Sequence, residues 1–314
     1  MSLLINRELI LVKDEGASYR TDAAPTVSAD EVKVENLSVN LAEGSTIIEP
    51  LPVQAQFVPD VHTMSGRLIN ISFDVEMKGA AAAGTAPEFG ELIQACAWSE
   101  TIVASTSVTY KPISTGINSV TIWWYADGTI YKAVGCRGNV TFSASAGERM
   151  MMSYSMTGHI DAAPGALALA TPSFSDIVAP PYQNASFTID TYAAKISSLE
   201  FDGGANVVTP RDVSGANGYG EIQHVAPRNI TGSFDPEHVL VATEAFHSNM
   251  DTSKSMALAA GAFGTGAGKI ITITMPVVRY RELTFGERDS LRTLEAPFQA
   301  YDSAGDDAVS IAFT

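Results

Sequence analysis

The residues of this chain that could do chemistry are five histidines, two cysteines, a glycine-rich run and a close pair of acids. The run Gly261, Gly264, Gly266, Gly268, Lys269 invites a phosphate-loop reading, but Phe263 stands five before Gly268. Ile270 replaces the hydroxyl that would hold magnesium. A flexible surface loop is the expectation. His62, His159, His224, His238 and His247 show no HxxxH or Cys/His spacing, and His238 and His247 are nine apart, too far along one helix for a shared ligand set. No Gly-x-Ser-x-Gly elbow presents a nucleophile. Asp74 and Glu76 share a strand face, which suits a charged rim as well as a hydrolase pair. Trp123 and Trp124 are adjacent in a strand and point to opposite faces, so they make no single sugar platform. No catalytic residue, metal site or cofactor is expected.

The strand that positions the acids is Gly66 to Lys78. Ile69, Ile71, Phe73, Val75 and Met77 fall on one side, and Asn70, Ser72, Asp74, Glu76 and Lys78 on the other. Such alternation buries one face of a strand and wets the other. A hairpin from Asn139 to Thr157 repeats the pattern: Val140, Phe142, Met152, Tyr154 and Met156 are apolar, whereas Thr141, Ser143, Ser153 and Ser155 are hydroxylic. These faces, small and neutral with sparse acids, suit the wall of a conduit.

The 314 residues suffice for two domains, and a net charge of −16 argues against gripping nucleic acid, which needs clustered Lys and Arg. Cys96 and Cys136 have no CxxC spacing; two buried thiols in a reducing compartment are expected, with a single bridge left open. The N-terminus lacks a signal-peptide pattern, and no apolar run approaches 18 residues, so a cytoplasmic origin is expected. The Asn-x-Ser/Thr sites therefore say nothing about glycosylation.

Taken in order, residues 1–30 read as an arm containing a short strand over Glu8–Lys13, and 43–64 as an extended loop. Pro87 is expected to open a helix from Glu88 to about Trp98. Asp127-Gly128 predicts a tight hairpin turn. An Ala/Pro-rich linker, 162–183, separates a first domain, 31–161, from a second, 184–314. The second echoes the first. Lys33-Val34-x-x-Leu37-x-Val39 returns as Lys195-Ile196-x-x-Leu199-x-Phe201, and Ser72-Phe73-Asp74 as Ser233-Phe234-Asp235. Pro87-Glu88 returns as Pro236-Glu237, opening an expected helix from Glu237 to Ser248. Phe142 with Gly147-Glu148-Arg149 returns as Phe285-Gly286-Glu287-Arg288. The expected fold is mainly β: two tandem sandwich or barrel domains, each with one packed helix.

The segment Glu15 to Thr26, the Val-rich strand after it, the Ile69–Met77 strand, the Pro87-Glu88 helix and the Asp127-Gly128 hairpin together resemble major tail tube proteins of long-tailed bacteriophages, in particular those of transposable Mu-like siphophages. The resemblance implies a β-sandwich subunit that contributes strands to a barrel around a channel, with rings stacked into a tube through which DNA passes unbound. It implies a place in the virion tail, assembly in the bacterial cytoplasm, and contacts with tape-measure, terminator and distal tail proteins. Two copies of the fold per chain make a three-chain ring the expectation, with six chains second. Asn70, Ser72, Asp74, Glu76, Thr141, Ser143, Ser153 and Ser155 are the expected lumen-facing residues. The alternative is a virion decoration or receptor-binding module of β-sandwich type.

Overall fold

Period-two alternation makes nearly half of the chain strand, and backbone pairing joins most of the strands into one antiparallel network, with two short hairpins apart from it. The computed structural model describes residues 4, 7–53, 58, 60–169, 171–215 and 217–314. Parts of the expected arm (Met1–Leu3, Ile5, Asn6), of the 43–64 loop (Gln54–Phe57, Pro59) and of the linker (Ala170) lie outside the described residues.

The first half runs β1 (Glu8–Asp14), β2 (Glu31–Val32), β3 (Glu35–Glu43), β4 (Thr46–Ile48), β5 (Thr63–Ser65) and β6 (Leu68–Glu76). It continues with α1 (Gly90–Gln94), β7 (Trp98–Val103), β8 (Ser107–Pro112), β9 (Val120–Ala126), β10 (Thr129–Ser145), β11 (Met151–Ile160) and β12 (Gly165–Ala166). The second half runs β13 (Phe187–Ile189), β14 (Tyr192–Ala193), β15 (Ser198–Asp202), β16 (Asn206–Val208), β17 (Gln223–Val225) and β18 (Thr231–Phe234). Then come α2 (Phe246–Asp251), β19 (Met256–Phe263), β20 (Ile271–Tyr280), β21 (Thr284–Arg288), β22 (Leu291–Tyr301) and β23 (Ser310–Phe313).

Seven strands pair edge to edge in the order β3-β6-β11-β10-β15-β18-β22. The run crosses from one half to the other at β10–β15, where Thr141–Ser145 lie against Asp202–Ser198. Behind it, β9 and β1 extend from the first part of β10, and β20, β19 and β23 extend from β22. β23 also pairs with β8, so the two halves meet a second time. The core between these layers is aromatic: Phe73 stacks on Tyr154, Phe142 on Phe201, and Phe234 packs against Phe187 and Phe298. Each such ring, fully buried, contributes roughly 1.5–3 kcal/mol.

Four expectations change. The interval read as an arm holds β1, whose Leu9–Val12 are buried and which pairs with β9 along its whole length. The ends of the 43–64 loop pair as a short ladder, β4 against β5, exposing Ile47, Ile48 and Met64. The first helix is only five residues, because Ala97 turns to a φ of 64° and sends Trp98 into a strand. The second begins at Phe246, not Glu237: Glu237 is held by a bridge to Thr293 and by Lys195 and Arg288. The Asp127-Gly128 turn forms as expected, with φ values of 40° and 100°. The glycine run closes the end of β19 with positive φ at Gly264, Gly266 and Gly268, and Gly268 lies so close to Gly79 and Ala82 that no side chain fits there. That loop is a packed contact between the halves.

Candidate functional site

The register of β6, β11 and β10 brings the eight expected wall residues onto one face. Ser72 lies opposite Ser155 and Asp74 opposite Ser153; Ser153 in turn lies opposite Thr141. Asn70 lies opposite Thr157, and Glu76 and Ser143 both oppose Met151. The intervening Ile69, Ile71, Phe73 and Val75 are buried on the other face, which fixes the register, since a one-residue slip would exchange the faces.

The polar face continues across the joint into the second half. Thr141, Ser143 and Ser153 share a concave surface enclosing about 820 Å³ with Glu200, Asp202, Thr231 and Ser233, and Arg281 and Glu282 stand at its lip. Reading β6 and the β10–β11 hairpin alone misses Glu200 and Asp202. The Ser233-Phe234-Asp235 echo is the sequence signal that places the neighbouring strand.

Hydrogen bonds across strands hold this surface. The Ser153 hydroxyl donates to Asp74 (2.5 Å), as does the Asn36 amide (2.7 Å). Ser233 donates to Glu200 (2.9 Å), and Asn139 to Asp202 (2.6 Å). Arg149 bridges Glu35 and Glu76. At the matching corner of the second half, Arg288 reaches Asp235 (2.6 Å) and Glu237 (3.8 Å). Burial works to raise the Asp235 pKa, but hydrogen bonds from the Ser197 hydroxyl and the Ser197 and Ser198 amides, with Arg288, outweigh it and hold the carboxyl below its ordinary value.

Among the described residues no three His, Cys, Asp or Glu converge as a metal set. His238 and His247 do meet, contrary to the spacing argument, because α2 starts late and leaves His238 in the preceding loop. Their rings lie 6.3 Å apart and both contact Phe285. His159 lies elsewhere, on β11 against the Tyr219–Ile222 segment. Burial and then the Arg20 charge lower its pKa to about 4, against a hydrogen bond with the Gly220 backbone that raises it. Tyr19 bonds it on one side and accepts from the Ile222 amide on the other (2.8 Å). Cys96 and Cys136 are free, buried thiols, raised by burial.

A continuous sheet with one hydroxyl and acid face is what the geometry supplies. Residues 23–313 match the family described as phage tail tube protein. The chain belongs to the phage tail tube protein family. No curated protein matches it. Family membership makes this tail tube protein a structural component of a virion tail, and its β-rich architecture is of the expected sandwich type.

Proposed function

We propose that this tail tube protein assembles into stacked rings whose lumen is lined by the polar face of the seven-stranded run, making a conduit for genome delivery. One observation carries the reading: Asp74, Glu76, Glu200 and Asp202 lie among hydroxyls on one unbroken face that spans both halves of the chain. Fixed negative charge repels the phosphate backbone, so DNA slides without specific binding. The eight residues from Asn70 to Ser155 are lumen-facing in this reading. The protein is not an enzyme, needs no cofactor, and is built into the tail in the host cytoplasm. Its partners are its own copies, the tape-measure protein, the terminator and the distal tail proteins. The tube is of the kind made by transposable Mu-like siphophages.

Two similar halves, 31–161 and 184–314, make three chains per ring the favoured count over six. In both halves a short hairpin separates the first two strands of the wall (β4–β5 and β16–β17), which is what a duplicated unit would give. The β4–β5 hairpin leads to Leu51, Val53 and Val61, all highly exposed, and these suit contacts with a neighbouring ring.

Negative-stain microscopy of the concentrated protein tests the reading. Hollow tubes or stacked rings are expected, with threefold end views. A closed particle without a channel would overturn it and favour a decoration or receptor-binding module.

A further inference from the structure

The joint between the halves is a template for a second joint that one chain cannot make alone. At the first, the β10 segment Thr141-Phe142-Ser143 pairs antiparallel with β15, and Phe142 stacks on Phe201 with ring centroids 4.4 Å apart. Both rings are nearly inaccessible, Phe142 at 1% and Phe201 at 2%. The second half contains the same donor edge. Thr284-Phe285 repeats Thr141-Phe142, and Phe285 lies opposite Leu294 in β21–β22 just as Phe142 lies opposite Met152 in β10–β11. Yet Phe285 is 60% exposed. On its own chain it is flanked by His238, His247 and Arg292, where Phe142 has Trp98 on one side and Phe201 on the other.

The acceptor edge repeats too. β3 pairs with β6 as β15 pairs with β18: Val39 lies opposite Ile71 where Phe201 lies opposite Gly232. Among the described residues β3 has no strand partner besides β6, and β21 none besides β22. An unpaired edge with exposed backbone groups invites another strand.

We propose that β21 of one chain pairs antiparallel with β3 of a second copy, in the register of the β10–β15 joint. Phe285 then covers Val39, Thr284 faces Asn40 on the polar side, and Gly286 faces Ser38. The contact is head-to-tail, so it closes only when rotation returns the last β21 to the first β3. It extends the polar wall from chain to chain without interruption. This inference rests on the tube reading and adds the residues that make the ring.

Two variants test it. Thr284 and Asn40 are exposed, and residues directly opposed across strands lie within disulfide reach. A Thr284→Cys/Asn40→Cys double variant, oxidised with diamide, should give covalent two- and three-chain species that neither single variant gives; the native thiols are buried. Phe285→Asp should leave the fold intact, because the ring is exposed in the single chain. It should raise the concentration needed for assembly at least about tenfold, the effect of losing one buried aromatic side chain. Cross-linking in solution without tubes would support the joint and count against the tube reading. Tubes that form normally from Phe285→Asp, or that stay uncross-linked in the double variant, would overturn the joint and leave the tube reading standing.

Discussion

Asp74 and Asp235 follow the repeated Ser-Phe pair, and each is held by serine or asparagine donors rather than left as a bare charge. The Asp235 carboxyl is depressed, so its stabilisation is fully present above the unfolded carboxyl pKa of about 3.9 and is lost as pH falls through the lower folded value. Asp235→Asn should therefore cost about 2 kcal/mol in urea unfolding at pH 7, and the difference from wild type should shrink as pH falls below the ordinary carboxyl range. His159 works over a different range. Its folded pKa of about 4 lies below the ordinary 6.5, so the unfolded chain takes up the proton first and stability falls as pH drops from 6.5 toward 4. Urea midpoints should show a loss of roughly 2 kcal/mol between pH 7 and 5, and His159→Gln should flatten that slope. A slope that survives the substitution would place the titration elsewhere. Neither role was legible in sequence. A histidine's burial here depends on Tyr19 and Gly220 arriving from segments 140 and 61 residues away.

At the scale of elements, strands were legible, and both expected helices exist, but their bounds were not legible. The alternation of Ile69–Glu76 and Met151–Gly158 matches the observed faces, because burial on one side of a pleated strand leaves a period of two in the sequence; it breaks at the paired ends, where Leu68 and His159 are buried as well. α1 and α2, at five and six residues, are too short to leave a helical period, and tertiary contacts at Ala97 and Glu237 set where each ends or begins. The β4–β5 hairpin was hidden for another reason: its apolar residues are exposed in the single chain, so no face alternation marks it. That exposure makes the hairpin testable. Replacing 49–62 with an Asn-Gly turn joins β4 to β5 across the Ile48–Thr63 pair, and should leave rings that fail to stack in microscopy. Tubes of normal length from this variant would show that stacking is carried elsewhere. Removing all of 1–30 is the wrong experiment, since it strips β1 from β9 and exposes the underlying core.

At the scale of the molecule, the eight polar residues on 70–76 and 141–155 were readable, but their continuation onto Glu200 and Asp202 depends on β10 meeting β15 across more than fifty residues of chain. In the proposed tube, their charge sets how the lumen treats DNA. Glu76 is a poor choice for reversal because it is bound to Arg149 beside Glu35, and a lysine there would set a second cation against Arg149. Asp74 and Glu200 are better, being held by neutral donors at the wetted surface. In a ring of three chains, Asp74→Lys/Glu200→Lys replaces six acids with six lysines per layer. Wild-type tubes should bind no duplex DNA at moderate salt. Tubes of the double variant should retain it, with a binding constant that falls steeply with salt, by a slope of roughly 0.9 for each phosphate neutralised. A phage carrying the same changes should assemble tails of normal length and eject its genome more slowly. Equal ejection rates, with tubes confirmed in both, would mean that this face does not look at the DNA; the other side of the sheet is buried core, so the wall would have to be sought on other strands.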